Sequence, residues 1–157
     1  MKYRQLTTEQ LNEMHEEFAY FLASQKIDAK KWQEIKDTKP EVVEEEINIF
    51  SDIVWEKVLD NTKYLTNLSK DNINLFRCDQ EHIHRIVIKC TKKDFDFSKK
   101  EDYHWFINNS KDASLSYFKG QKAYFKEKNL EIFDLIEKGC MISKPDLYES
   151  VYTIIGN

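Results

Sequence analysis

Four residues of the kinds that ligate zinc crowd one stretch of this sequence. They are Cys78, His82, His84 and Cys90, within FRCDQEHIHRIVIKC. Thiolate and imidazole donors take zinc tetrahedrally, so all four would have to reach one point. The stretch from Ile73 to Cys90 is rich in β-branched and aromatic residues around a polar break, and it reads as a β-hairpin. In a strand rising about 3.3 Å per residue, His84 and Cys90 stand about 20 Å apart. One ion cannot take both. Only Cys78, His82 and His84 could converge around the turn, with His104 or a carboxylate completing the set. No CxxC pair or HExxH is present, a single Glu81-x-x-His84 falls short of a di-iron site, and the carboxylates of a ββα-metal nuclease are not at recognisable spacing. No metal, cofactor or catalytic residue is therefore expected. A metal-dependent hydrolase around His82 and His84 stands as an alternative.

Two other places carry recognition chemistry. Tyr117-Phe118-Lys119 is followed by Tyr124-Phe125-Lys126, and residues 111–128 hold Lys111, Lys119, Lys122, Lys126 and Lys128 against Asp112 and Glu127. Cations interleaved with aromatics can stack bases while holding phosphates, or dock an acidic partner. The plainer account turns the aromatics inward and leaves the lysines in solvent. Trp55 lies among Glu41, Glu44, Glu45, Asp52 and Glu56 on a helix, where an aromatic can anchor a protein interface. Its plainer account is packing beneath the following KYLTNL segment. The candidate partner-binding residues are Trp55, Tyr117, Lys119, Tyr124 and Lys126.

Composition sets the frame. The chain of 157 residues is 41% hydrophobic and 13% aromatic, which argues for a packed core despite 33% charged residues. With 3 Gly and 2 Pro, and no GxGxxG, GxxxxGK[ST] or GxSxG, dinucleotide, P-loop and serine-hydrolase chemistry lose their motifs. Three dispersed cysteines do not form a secreted disulfide framework, and neither a leader nor a membrane span is evident, so a cytoplasmic protein with no membrane association is expected. The net charge is −4. It divides into −6 over residues 1–60 (8 Lys/Arg, 14 Asp/Glu) and +2 over the remainder (16 against 14). An acidic whole disfavours nucleic acid as the partner, because phosphate neutralisation needs a positive surface.

The elements around the hairpin follow from periodicity and caps. Thr7 and Gln10 form a capping box for a helix over about 8–24, with His15 bordering its apolar stripe as a packed histidine. Asp28 caps a second helix carrying Trp32 and Ile35. A third, over about 40–60, is apolar through Val42, Val43, Ile47, Ile49, Phe50, Ile53, Val54 and Val58. With Asp79–Glu81 as the hairpin loop, Cys78 faces His82, Phe76 faces His84 and Ile73 faces Val87. DFDF (94–97) suggests an extended piece, Ser98 and Glu101 open a helix through about 108, and ASLSYFKG suggests a strand ending at Gly120. NLEIFDLIEKG is a helix closed by Gly139, and Ser143 with Asp146 opens a last helix.

The segments KYRQLTTEQL…HEEFAYFLASQKIDAKKW, IFSDIVWEKVL and NLEIFDLIEKGCMISKPDLYE together resemble a domain-of-unknown-function family of small proteins from one group of Gram-negative bacteria. The resemblance implies a single-domain, bacterial, intracellular protein and transfers no site residue. The expected architecture is α+β over 1–157. An N-terminal three-helix group packs on a small antiparallel sheet containing the 73–90 hairpin, and C-terminal helices close it. The expected function is non-enzymatic: a protein–protein interaction module that binds another protein or self-associates. A nucleic-acid or nucleotide binder using segment 111–128 is the alternative beside the hydrolase.

Overall fold

A computed structural model describes residues 1–156, and the chain divides into two compact units, Met1–Asp60 and Asn61–Asn157. The fold is α+β, with the N-terminal helices preceding a five-stranded antiparallel sheet in the chain.

The first unit is helical: α1 (Thr8–Glu13), α2 (His15–Ser24), α3 (Ala29–Thr38) and α4 (Pro40–Asp60). The capping box forms, with the Thr7 side chain accepting from Gln10 N–H and Gln10 reaching back to Thr7 N–H. The expected single helix over 8–24 instead breaks at Met14, whose ψ of 25° leaves the helical range. That break turns His15 outward, where it is exposed and its Nδ1 lies 3.1 Å from the Asn12 carbonyl, rather than bordering the core. Asp28 caps α3 by accepting from Lys31 N–H at 2.8 Å. Phe18, Phe21, Trp32 and Phe50 pack ring against ring between α2, α3 and α4.

The buried line of α4 differs from the expected stripe. It runs through Glu46, Phe50, Ser51, Trp55 and Leu59, while Ile49, Ile53 and Val58 are exposed. Two polar residues can lie on it because both have partners: Gln25 donates to Glu46 at 2.7 Å, and Leu6 N–H donates to Ser51 Oγ at 2.9 Å.

The second unit holds β1 (Tyr64–Leu68), β2 (Asn72–Cys78), β3 (His82–Cys90), α5 (Lys100–Asn108), β4 (Leu115–Ala123), α6 (Lys128–Glu137), β5 (Met141–Ile142) and α7 (Asp146–Ile155). The strands run in the order β4-β3-β2-β1-β5. The hairpin is present, but its turn is Gln80–Glu81, closed by Asp79 N–H to the His82 carbonyl at 2.9 Å. Cys78 therefore pairs with Ile83, Arg77 with His84, Phe76 with Arg85 and Ile73 with Ile88. The expected three-residue loop was one residue too long, and a one-residue slip regroups the side chains of both faces.

The actual faces are simple. One gathers Ile73, Leu75, Ile86 and Ile88 under α5, α7 and the loop carrying Phe95 and Phe97, forming the main core with Phe106, Leu115, Tyr148 and Val151. Phe95 and Phe97 are buried in a loop, not in the extended piece expected from DFDF. They pack edge-to-face on each other, on Trp105 and on Phe106. Ser98 does not cap α5; it bonds the Asp96 carboxylate instead. The other face carries Leu65, Phe76, Cys78, Ile83, Arg85, Val87 and Phe118, with α6 beside it. α6 ends in a Schellman motif: Cys140 N–H bonds the Leu135 carbonyl, Gly139 N–H bonds that of Ile136, both at 3.0 Å, and Gly139 takes φ 105°.

Candidate functional site

The zinc-type residues do not come together. In the observed register Cys78 shares a face with Phe76 and Ile83, whereas His84 shares the opposite face with Arg77 and Ile86. Cys78 is 5% exposed, and burial pushes its thiol up to about 12, which keeps it protonated and a poor ligand. His84 Nε2 instead meets Asp79 Oδ2 at 2.8 Å. His82 and His104 are exposed. Among the described residues, no group of three or more His, Cys, Asp or Glu side chains is placed to hold a metal ion.

Around His84 lies a closed polar cluster. Arg77 pairs with Asp79 at 3.3 Å, approaches Glu149 at 4.0 Å and lies over the rings of Tyr148 and Tyr152. Tyr64 donates to Glu149 at 2.7 Å. That bond first, and burial second, push the Tyr64 phenol up to about 12. These groups satisfy one another and knit α7 to β1 and β2.

One concave feature of the second unit is a groove of about 650 Å³ on the opposite face. Its floor is Phe76, Ile83, Val87, Phe118 and the backbone around Gly120; its wall is Glu131, Asp134, Leu135 and Lys138 of α6. The volume lies within the roughly 300–1,000 Å³ of ligand pockets, and the mix of apolar floor and a few polar groups is what such sites need.

Gly120 opens the middle of this groove. Pairing of β3 with β4 is unbroken from Cys90↔Leu115 to His82↔Ala123, so no bulge calls for a glycine. Its φ is outside the left-handed region, unlike Gly139 and Gly156, and a Cβ built on it would meet nothing within 4 Å. Local conformation does not require a glycine here. An interior strand glycine free of those demands marks a place where a ligand or another backbone can approach closely.

The rim is basic. Arg85, exposed, is steadied by Asn74 Oδ1, which accepts from its Nε at 3.0 Å. Lys89 lies over the Phe118 ring at 5.7 Å, and Lys138 ends the α6 wall. Lys122 pairs with Glu131 at 2.9 Å and Lys126 with Asp134, so the two wall carboxylates are already matched, and Arg85, Lys89 and Lys138 remain as excess positive charge.

No curated protein and no solved structure matches the chain. A family model matches residues 1–156. The chain belongs to DUF6495, a family of unknown function. Among the described residues of this member, no helix is long and apolar enough to cross a membrane.

The sequence-derived candidates fall in different places. Trp55 is 8% exposed with the Arg4 guanidinium 5.0 Å from its ring centroid, so the indole is not displayed as an anchor. The nearby carboxylates are also engaged: Asp52 accepts from the backbone N–H groups of Lys2 and Tyr3, and Glu56 from their side chains. Tyr117 packs against the core with its hydroxyl on the Ser110 carbonyl. Tyr124 donates to the Asp79 carbonyl at 2.8 Å, and burial raises its pKa. Lys119 donates to the Gly156 carbonyl at 3.3 Å over the Tyr152 ring.

In both Tyr-Phe-Lys triplets the phenylalanine is the displayed ring. Phe118 is 54% exposed in the groove, and Phe125 is 88% exposed with Lys122 4.3 Å from its ring centroid. Sequence reasoning singled out the triplets but missed Phe118, Phe125 and Gly120. The strand parity of β4 carries that signal, and the extension of β4 three residues past Gly120 to Ala123 makes it legible.

Proposed function

We propose that this protein is a non-enzymatic interaction module whose binding site is the groove between β3, β4 and α6. The observation that carries it is Gly120, the one glycine without a conformational reason, at the centre of an open apolar floor flanked by exposed Phe118. The occupant is a segment of another protein with apolar side chains and acidic neighbours. The excess of Arg85, Lys89 and Lys138 over matched carboxylates supports the acidic preference. Lys119, Lys122 and Lys126 each already have an internal acceptor, which favours a peptide over a phosphate backbone as the ligand. Three free cysteines, two of them buried, support placing the protein in the bacterial cytoplasm.

The test is a display selection of random peptides on the full chain, repeated on the Gly120→Leu variant. Acidic, apolar sequences enriched on the parent and depleted on the variant support the reading. Sequences enriched equally on both would overturn it.

A further inference from the structure

We infer that the partner segment binds by strand addition: it extends the sheet along the open edge of β4, with alternate side chains turned into the groove over Gly120. This rests on the groove being the binding site and specifies how it is used and by what.

β4 is the edge of the sheet, paired only with β3. Thr91 N–H bonds the Ser114 carbonyl at 2.9 Å, which fixes Thr91↔Ser114 as a hydrogen-bonded pair. Such pairs alternate along an antiparallel ladder. Ser116, Phe118, Gly120 and Lys122 therefore direct their backbone groups at β3, while Tyr117, Lys119, Gln121 and Ala123 direct theirs outward. The other side of β3 agrees: Asp79 N–H to His82 carbonyl makes His82, His84, Ile86 and Ile88 bond toward β2, leaving Ile83, Arg85, Val87 and Lys89 for β4. Among the described residues, the outward N–H groups of Tyr117, Lys119, Gln121 and Ala123 have no acceptor, and the side chains from Phe118 to Ala123 are exposed. An unpaired strand edge is a template for another strand.

The groove reaches this edge. Phe118, Lys119, Gly120, Gln121 and Lys122 all line it, so a strand laid along β4 sits at its mouth. With a side-chain period of two, every second residue of that strand faces the Phe76–Ile83–Val87 floor, and the missing side chain of Gly120 leaves room for one of them. Backbone bonds would supply affinity and the groove would select apolar residues.

The charges choose the partner. Lys119 and Lys122 are exposed on the edge strand itself, a placement that repels a second copy of β4 by setting lysines of two copies along one short ladder. Arg85, Lys89 and Lys138, which no wall carboxylate matches, complement carboxylates of the partner. The occupant is an extended segment of a different protein whose groove-facing residues are apolar over the floor and Asp or Glu beside it, because Arg85 and Lys89 stand on the same face as Ile83 and Val87.

The experiment uses the full chain and the tightest acidic peptide selected on it, followed by amide hydrogen exchange at Tyr117, Lys119, Gln121 and Ala123. These amides exchange readily in the free protein and slow by at least tenfold on binding. N-methylation of alternate peptide amides in one phase weakens binding by at least tenfold, and in the other phase leaves it unchanged. Groove residues that respond while the four amides stay unprotected would overturn strand addition and leave the groove standing as the site. A peptide that moves neither overturns both. Protection that appears without peptide as concentration rises, alongside a dimer in solution, would overturn the choice of an acidic partner in favour of a second copy.

Discussion

Replacing Gly120 with leucine should strengthen the fold and remove the binding. A strand-interior glycine is less favourable than alanine by about 0.5–1 kcal/mol, because its unfolded backbone has more freedom to lose. At position 120 nothing within 4 Å opposes a Cβ, and the φ is one any residue adopts, so no strain offsets that gain. For a chain of 157 residues, 1 kcal/mol corresponds to roughly 2–4 °C in Tm. The variant should therefore melt about 1–4 °C higher by calorimetry. Its isobutyl group occupies the space over Phe76 and Val87 that the ligand needs, with a loss on the scale of a hot-spot residue, about 2 kcal/mol or more and so roughly thirtyfold in Kd. Calorimetric titration of a selected peptide reads that loss. A Tm lower by more than a few degrees would mean the glycine serves the fold. Unchanged affinity at raised Tm would mean the groove is not the site.

Other outcomes follow from burial and register. Ile86→Ala removes a fully buried side chain and should cost about 2–5 kcal/mol, on the order of ten degrees of Tm, whereas Val87→Ala on the open groove face costs much less; equal losses would contradict the observed faces. In native protein at pH 8 a thiol reagent should modify Cys90 first. Burial covers Cys78 and Cys140 and raises both thiols, so rapid labelling of either would contradict their packing. Stability should be level from pH 7 to 9 and decline between 9 and 12. The folded pKa values of Cys78 and Tyr64 lie above their unfolded values of about 9 and 10, so their contribution is whole below those values and lost as pH climbs to about 12. Cys78→Ala and Tyr64→Phe should each shallow that decline in denaturant titrations, and identical slopes would refute the assignment.

Much of the fold was legible where local chemistry decides it. The Thr7–Gln10 box, the Asp28 cap, the hairpin strands and Gly139 are all set by groups within a few residues of each other. What escaped depends on distant partners or on parity. The hairpin turn holds Gln80–Glu81, with none of the Asn-Gly or Asp-Gly chemistry that announces a two-residue turn, so nothing local fixed the register. β1 and the two-residue β5 exist through pairing more than propensity. Trp55 reads as part of a polar face through Glu41, Glu44, Glu45, Asp52 and Glu56, yet it lies on the buried line of α4 with Glu46 and Ser51, whose partners are contributed by Gln25 and Leu6. The candidate site needed β3, β4 and α6 in place together. The sequence could flag the Tyr-Phe-Lys triplets, but only the β4 ladder tells which ring of Tyr117 and Phe118 faces the core and which faces the groove.

The central claim is most directly tested by an amide chemical-shift titration of the full chain with a selected acidic, apolar peptide. The account predicts perturbations concentrated at Phe76, at Ile83 through Val87, at Phe118 through Lys122 and along Glu131 to Lys138. Largest shifts on the acidic side of α4, or on α5 and α7 with the groove residues silent, would contradict it.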